Sequence, residues 1–113
     1  MPIPLQVTLK DMPQSEAVES RIREKADKLG RFYDRINSCR VVVEPPQRHQ
    51  HQGKLYSVRI DLTVPGAELV ANRAQDEDVY VAIRDAFVAI TRQLEDFARR
   101  QRGDVKTHSA PSG

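Results

Sequence analysis

Tyr56-Ser-Val-Arg-Ile-Asp-Leu-Thr-Val64 alternates without a break: Tyr56, Val58, Ile60, Leu62 and Val64 are apolar, and Ser57, Arg59, Asp61 and Thr63 are polar. Successive side chains of a strand point to opposite faces, so this period of two reads as a β-strand with one dry face and one wet one. A sheet built from such strands is covered on one side only. Pro65-Gly66 follows, with proline fixing φ and glycine free to take φ > 0, which fits a tight turn into a returning strand over Glu68 to Asn72. Upstream, Cys39 to Val43 is short and β-branched and stops at Pro45-Pro46. Leu5-Gln-Val-Thr-Leu9 alternates again, with Leu5, Val7 and Leu9 inward.

Two segments change period. Val18, Ile22, Ala26, Leu29 and Tyr33 recur every three or four residues, which predicts a helix from Glu16 to Phe32 with one apolar face. Ser15 is placed as its N-cap, and Glu16 and Glu19 suit the positive end of the helix dipole. A second, longer helix starts at Asp76-Glu-Asp78 and carries the stripe Val79, Ala82, Ile83, Ala86, Phe87, Ile90, Leu94 and Phe97. Arg99, Arg100 and Arg102 crowd its last turn. From Gly103 the chain is polar and small and is expected to be disordered.

The order β-α-β-β-β-α follows. A right-handed crossover makes the first two strands parallel, and the later strands return as an antiparallel meander. Because one sheet face is wet, both helices belong on the other. The fold class is α+β: a two-layer sandwich of a four-stranded sheet with two helices on one face. Residues 1–102 form this single domain and residues 103–113 the tail.

Composition narrows the function. With 113 residues, 39% apolar and 30% charged, the chain suits an ordinary globule, and no apolar run approaches the length of a membrane span. The N-terminus Met-Pro-Ile-Pro-Leu carries no basic region and no apolar signal core, so a cytoplasmic protein without a membrane partner is expected. Cys39 is the only cysteine, which excludes an intrachain disulfide and a cysteine-rich zinc site; at an inward strand position it reads as a buried, inert thiol. His49 and His51 lie in the polar stretch Pro45 to Lys54, two imidazoles where a structural zinc wants four ligands, so no metal and no cofactor is expected. There is no glycine-rich phosphate loop and no recognisable catalytic constellation, hence no enzyme and no small-molecule substrate.

The net charge is only +2, so any nucleic-acid partner requires the basic residues to be sorted onto one surface. On a helical wheel Arg21, Lys25 and Lys28 line one shoulder of the first helix with Arg31 beside them. On the second helix Arg84, Arg92, Arg99 and Arg102 share the solvent side. Side-by-side basic helices suit a phosphate backbone read by shape. There is no Trp, and most Phe and Tyr residues fall at apolar positions, which argues against single-strand reading by base stacking. The competing reading of the same charges is a solvated helix face.

The segments Lys25-Ala-Asp-Lys28-Leu29, Tyr33-Asp34-Arg35-Ile36, Asp78-Val-Tyr80-Val-Ala82-Ile83 and Arg92-Gln93-Leu94, in this order and spacing, resemble the ribosome hibernation-promoting factors, also called the sigma-54 modulation or ribosomal subunit interface family. The resemblance spans Leu5 to Arg102 and implies the short form, without a further C-terminal domain. It implies a monomeric factor that binds rRNA of the small ribosomal subunit in the mRNA and tRNA channel and keeps idle ribosomes inactive. Lys25, Lys28 and Arg92 fall on the family's basic positions, and Arg35 matches too. Arg21, Arg31, Arg84 and Arg99 are added by the wheel alone. Two departures stand out: Ile83-Arg84 where the family often has Ile-Asp, and Val88-Ala89-Ile90 where it often has Asp-Lys-Leu. Two other functions remain open: a protein-interaction module modulating transcription, and a general binder of double-stranded RNA, whose domains share the α-β-β-β-α order.

Overall fold

The alternation in Tyr56–Val64 becomes a sheet register. The computed structural model describes residues 3–46 and 54–109, with side chains described as far as residue 102. The elements are β1 (Leu5–Leu9), α1 (Glu16–Phe32), β2 (Ser38–Glu44), β3 (Tyr56–Val64), β4 (Ala67–Asp76) and α2 (Val79–Ser109). The strands lie in the order β1-β2-β3-β4, with β1 and β2 parallel and the other neighbours antiparallel. This is the expected β-α-β-β-β-α sandwich. The expectations for His49, His51 and the last four residues of the tail lie outside the described residues.

Register places like with like. Val7, Val41, Ile60 and Ala71 form one row across the sheet, and Leu5, Cys39, Leu62 and Leu69 the next. These rows face the helices and share one hydrophobic core with Ile22, Ala26 and Leu29 of α1 and Ile83, Ile90 and Leu94 of α2. The opposite sheet face carries exposed Arg40 and Arg59 and half-buried Val42 and Asp61. Arg59 Nε donates to Asp61 Oδ1 at 3.0 Å on that side.

Local chemistry sets the ends. Asp11 takes φ 56, turning the chain sharply out of β1. Ser15 is extended, and its hydroxyl accepts from the Val18 N–H at 3.3 Å, so it caps α1 as expected. Tyr33 returns to extended backbone while its N–H donates to the Leu29 carbonyl at 3.0 Å. Gly66 adopts φ 88 in the Pro65-Gly66 turn, a conformation that favours glycine.

β2 at both ends and β4 at its start extend one residue beyond the sequence reading, and three boundaries differ by more. β4 runs to Asp76 rather than Asn72. Val58 pairs with Ala74 and Ile60 with Ala71, so Asn72 and Arg73 together oppose Arg59 in a β-bulge. Two consecutive polar residues look like a strand end, but the bulge absorbs one of them. Asp76 and Asp78 form the entry to α2 rather than its first turn: Asp76 Oδ1 accepts from the Asp78 N–H, and Asp78 Oδ1 accepts from the Tyr80 N–H, both at 2.9 Å. Finally, α2 continues through Ser109, so the tail expected to be disordered from Gly103 is helical over its first part. A glycine inside a helix costs only about 1 kcal/mol relative to alanine and does not by itself end it.

Candidate nucleic-acid interface

α1 and α2 lie side by side pointing the same way, the early residues of one beside the early residues of the other and Lys25 to Phe32 facing Arg84 to Glu95. Their starts are fastened by Arg21, whose guanidinium carbon sits 4.9 Å from the centre of the Tyr80 ring. Beyond that contact a groove of about 460 Å³ opens between them. Its α1 wall is Lys25, Lys28, Leu29 and Phe32, and its α2 wall is Arg84, Phe87, Val88, Thr91, Arg92 and Glu95. Helical spacing explains the set. Lys25, Lys28 and Phe32 recur at three and four on one shoulder of α1, and Arg84, Val88, Arg92 and Glu95 do so on α2. Four cations and one carboxylate give the groove +3, more than the +2 of the whole chain.

The cations differ in how free they are. Among the described residues Lys25, Lys28 and Arg92 have no ion-pair partner. Arg84 wraps onto its neighbour, with Nε and Nη2 both donating to Asp85 Oδ1 at 3.1 and 3.0 Å. Arg21 reaches Glu24 at 3.7 Å in addition to covering Tyr80. Arg99 lies one turn beyond Glu95 and pairs with Asp96 at 3.3 Å. Arg31 does not line the groove; it lines a separate hollow on α1 with Ser20, Arg23, Glu24 and Asp27. Arg35 is exposed in the connection from α1 to β2, away from the groove lining. Of the eight sequence-derived positions, the fold gathers Lys25, Lys28, Arg84 and Arg92.

Two groove residues escaped the sequence reading. Phe32 is 51% exposed and Val88 46%, the exposed large apolar side chains among the described residues. Exposed aromatic surface is therefore present, contrary to expectation. The available signal was position: α1 fills its apolar face with Val18, Ile22, Ala26 and Leu29, and Phe32 stands off that stripe.

Arg92, Gln93 and Leu94 point in three directions. Arg92 lines the groove, Leu94 is in the core, and Gln93 Nε2 donates to the Val70 carbonyl on the edge strand β4 at 2.6 Å. Gln93 and Ala89 belong to a second cleft, of about 380 Å³, along β4. The Ala89 departure thus falls outside the groove, while the Arg84 departure adds a cation within it.

Burial, with a lesser contribution from Asp61, pushes the Cys39 thiol up to about 12, so it stays protonated at neutral pH. Among the described residues no group of three or more His, Cys, Asp or Glu is placed to hold a metal ion. No described helix is long and apolar enough to cross a membrane.

Comparison with known proteins gives these features a family. The chain is 34% identical over 87 residues to a ribosome hibernation promoting factor of Azotobacter vinelandii, covering 77% of this chain and 75% of that protein. Its fold resembles a ribosomal subunit interface protein of Coxiella burnetii (TM-score 0.70, 18% identity, 84% of this chain and 97% of that one). It also resembles the N-terminal domain of Protein Y from Thermus thermophilus (TM-score 0.69, 22% identity, 86% and 99%). The family model described as Sigma 54 modulation protein / S30EA ribosomal protein matches residues 5–102, nearly the whole described fold, and the chain belongs to that family.

Proposed function

We propose that this protein is a ribosome-associated, translation-inhibiting factor that binds small-subunit rRNA in the mRNA and tRNA channel and holds idle ribosomes inactive. The observation that carries the reading is the α1/α2 groove, where Lys25, Lys28 and Arg92 stand without carboxylate partners among the described residues in a net charge of +3. A cation already paired with a carboxylate must give up that partner to meet a phosphate. An unpaired one need only release solvent, and the phosphate it meets sheds counterions. The relatives' names, a hibernation promoting factor and a subunit interface protein, supply the target. On this reading the protein is a binding factor rather than an enzyme and acts as a cytoplasmic monomer.

Cosedimentation with separated small and large subunits tests it. Saturable binding to the small subunit alone, weakening as salt rises, is the expected result. Equal binding to both subunits and to unrelated duplex RNA would replace it with general duplex recognition. No binding to either would point to a protein partner.

A further inference from the structure

Phe32 is an anomaly of packing. Half of its ring is in water at the last turn of α1, although the core is a few ångströms of chain away. Burying such a side chain stabilises a fold, so leaving it out forgoes a share of that gain. The ring and Val88 make one small apolar patch, with Lys25, Lys28 and Arg92 around it. An apolar flat surface ringed by cations complements a molecule with a flat π-face and an anionic edge. A nucleotide has that form: a base to stack, a phosphate for the lysine or arginine beside it.

We propose that Phe32 is a stacking platform for a single unpaired nucleobase, with Val88 as the opposite apolar wall and Lys28 and Arg92 holding the flanking phosphates. This rests on the rRNA-binding reading and makes it specific, since the groove then takes a flipped or looped base rather than reading helix shape alone. The extent of the patch favours RNA over an acidic peptide helix. Such a helix docks through apolar anchors at i, i+3 or i+4 and i+7 and needs a longer strip. Here the exposed large apolar side chains among the described residues are Phe32 and Val88. The groove's volume of about 460 Å³ suits one nucleotide, not a second helix.

The test compares Phe32→Leu and Phe32→Trp with the parent on purified small subunits. Leucine keeps an apolar side chain at a site that is already half in water, and thermal unfolding of both variants verifies the fold. Loss of base stacking weakens binding by roughly 5- to 150-fold, and Trp retains affinity. The salt slope stays that of the parent, because no phosphate contact is removed. Chemical methylation of the rRNA should show an unpaired base protected by the parent and released by Phe32→Leu. If the parent binds with a normal salt slope and Phe32→Leu binds within twofold of it, the stacking proposal is overturned while the rRNA reading stands. If Phe32→Leu weakens binding with no base released, the ring meets ribosomal protein and the proposal is likewise overturned. If the parent itself fails to bind the small subunit, both fall.

Discussion

Replacing Lys25, Lys28 and Arg92 together by alanine removes the three groove cations that lack a carboxylate partner among the described residues. Lys28 and Arg92 are exposed and Lys25 half-buried, so the change leaves the core intact and shifts stability little. Its effect on RNA binding is calculable. Each phosphate neutralised contributes about 0.7 to 0.9 to the slope of log K against log salt, the lower figure for single strands and the upper for duplex. Three lost contacts flatten the slope by roughly 2 to 2.7. Between 50 and 200 mM salt the parent should then lose roughly 20 to 40 times more affinity than the triple variant does. Arg84 and Arg99 remain in the variant, but both are engaged by Asp85 and Asp96. The matching control is Arg31→Ala, which removes a cation from the separate hollow on α1 and should leave the slope nearly unchanged. Titration of labelled protein against small subunits at four or five salt concentrations gives both slopes. A triple variant with the parent's slope, or Arg31→Ala flattening it as much as a groove substitution, would refute the assignment of the groove as the phosphate-binding face.

Two further outcomes separate scaffold from site. Gln93→Leu leaves the Val70 carbonyl without its side-chain donor and should cost about 1 kcal/mol in denaturant unfolding, with the salt slope of ribosome binding unchanged; a flattened slope would move Gln93 into the interface. Cys39, held protonated up to about 12 by burial, should resist thiol reagents at pH 8 until the protein unfolds. Its ordinary value is 9.0, so between there and about 12 the unfolded chain has released a proton that the folded one keeps. Stability therefore falls as pH rises through that window, by up to about 1.4 kcal/mol per pH unit. The parent should lose this increment relative to Cys39→Ala measured over the same range, and parallel curves for the two would count against a buried thiol.

The fold was legible because its elements are each written in a single period. The alternation of Tyr56–Val64 needed one face covered, and a parallel first pair with two helices on that face followed from handedness and connection order. β1, α1 and β3 end where the sequence puts them. What failed did so where the backbone departs from regularity. The bulge at Asn72 and Arg73 is invisible to a pattern of period two, because the extra residue shifts the alternation and mimics a strand end. The stretch from Gly103 departs in the opposite direction: polar and small residues were expected to be disordered, and α2 runs on through Ser109.

The site was legible only as far as a wheel can show. A wheel gives direction and not company. It grouped Lys25 with Lys28, which share one wall of the groove, and set Arg31 next to them, where Arg31 lines a separate hollow with Arg23, Glu24 and Asp27. It gave Arg84 and Arg92 the same weight. Residues one apart on a helix do not share a face, yet the arginine stem is long enough to fold Arg84 back onto Asp85. The family motif shows the same limit from the other side. Three consecutive helical residues diverge by about 100° each, so Arg92-Gln93-Leu94 has to serve three surfaces: the groove, the β4 edge and the core. A contiguous stretch that signals the family therefore mixes what holds the protein together with what meets the ribosome on our reading. Phe32, outside any apolar stripe and beside no quoted cation in sequence but Arg31, becomes part of the site only when α2 is laid alongside it.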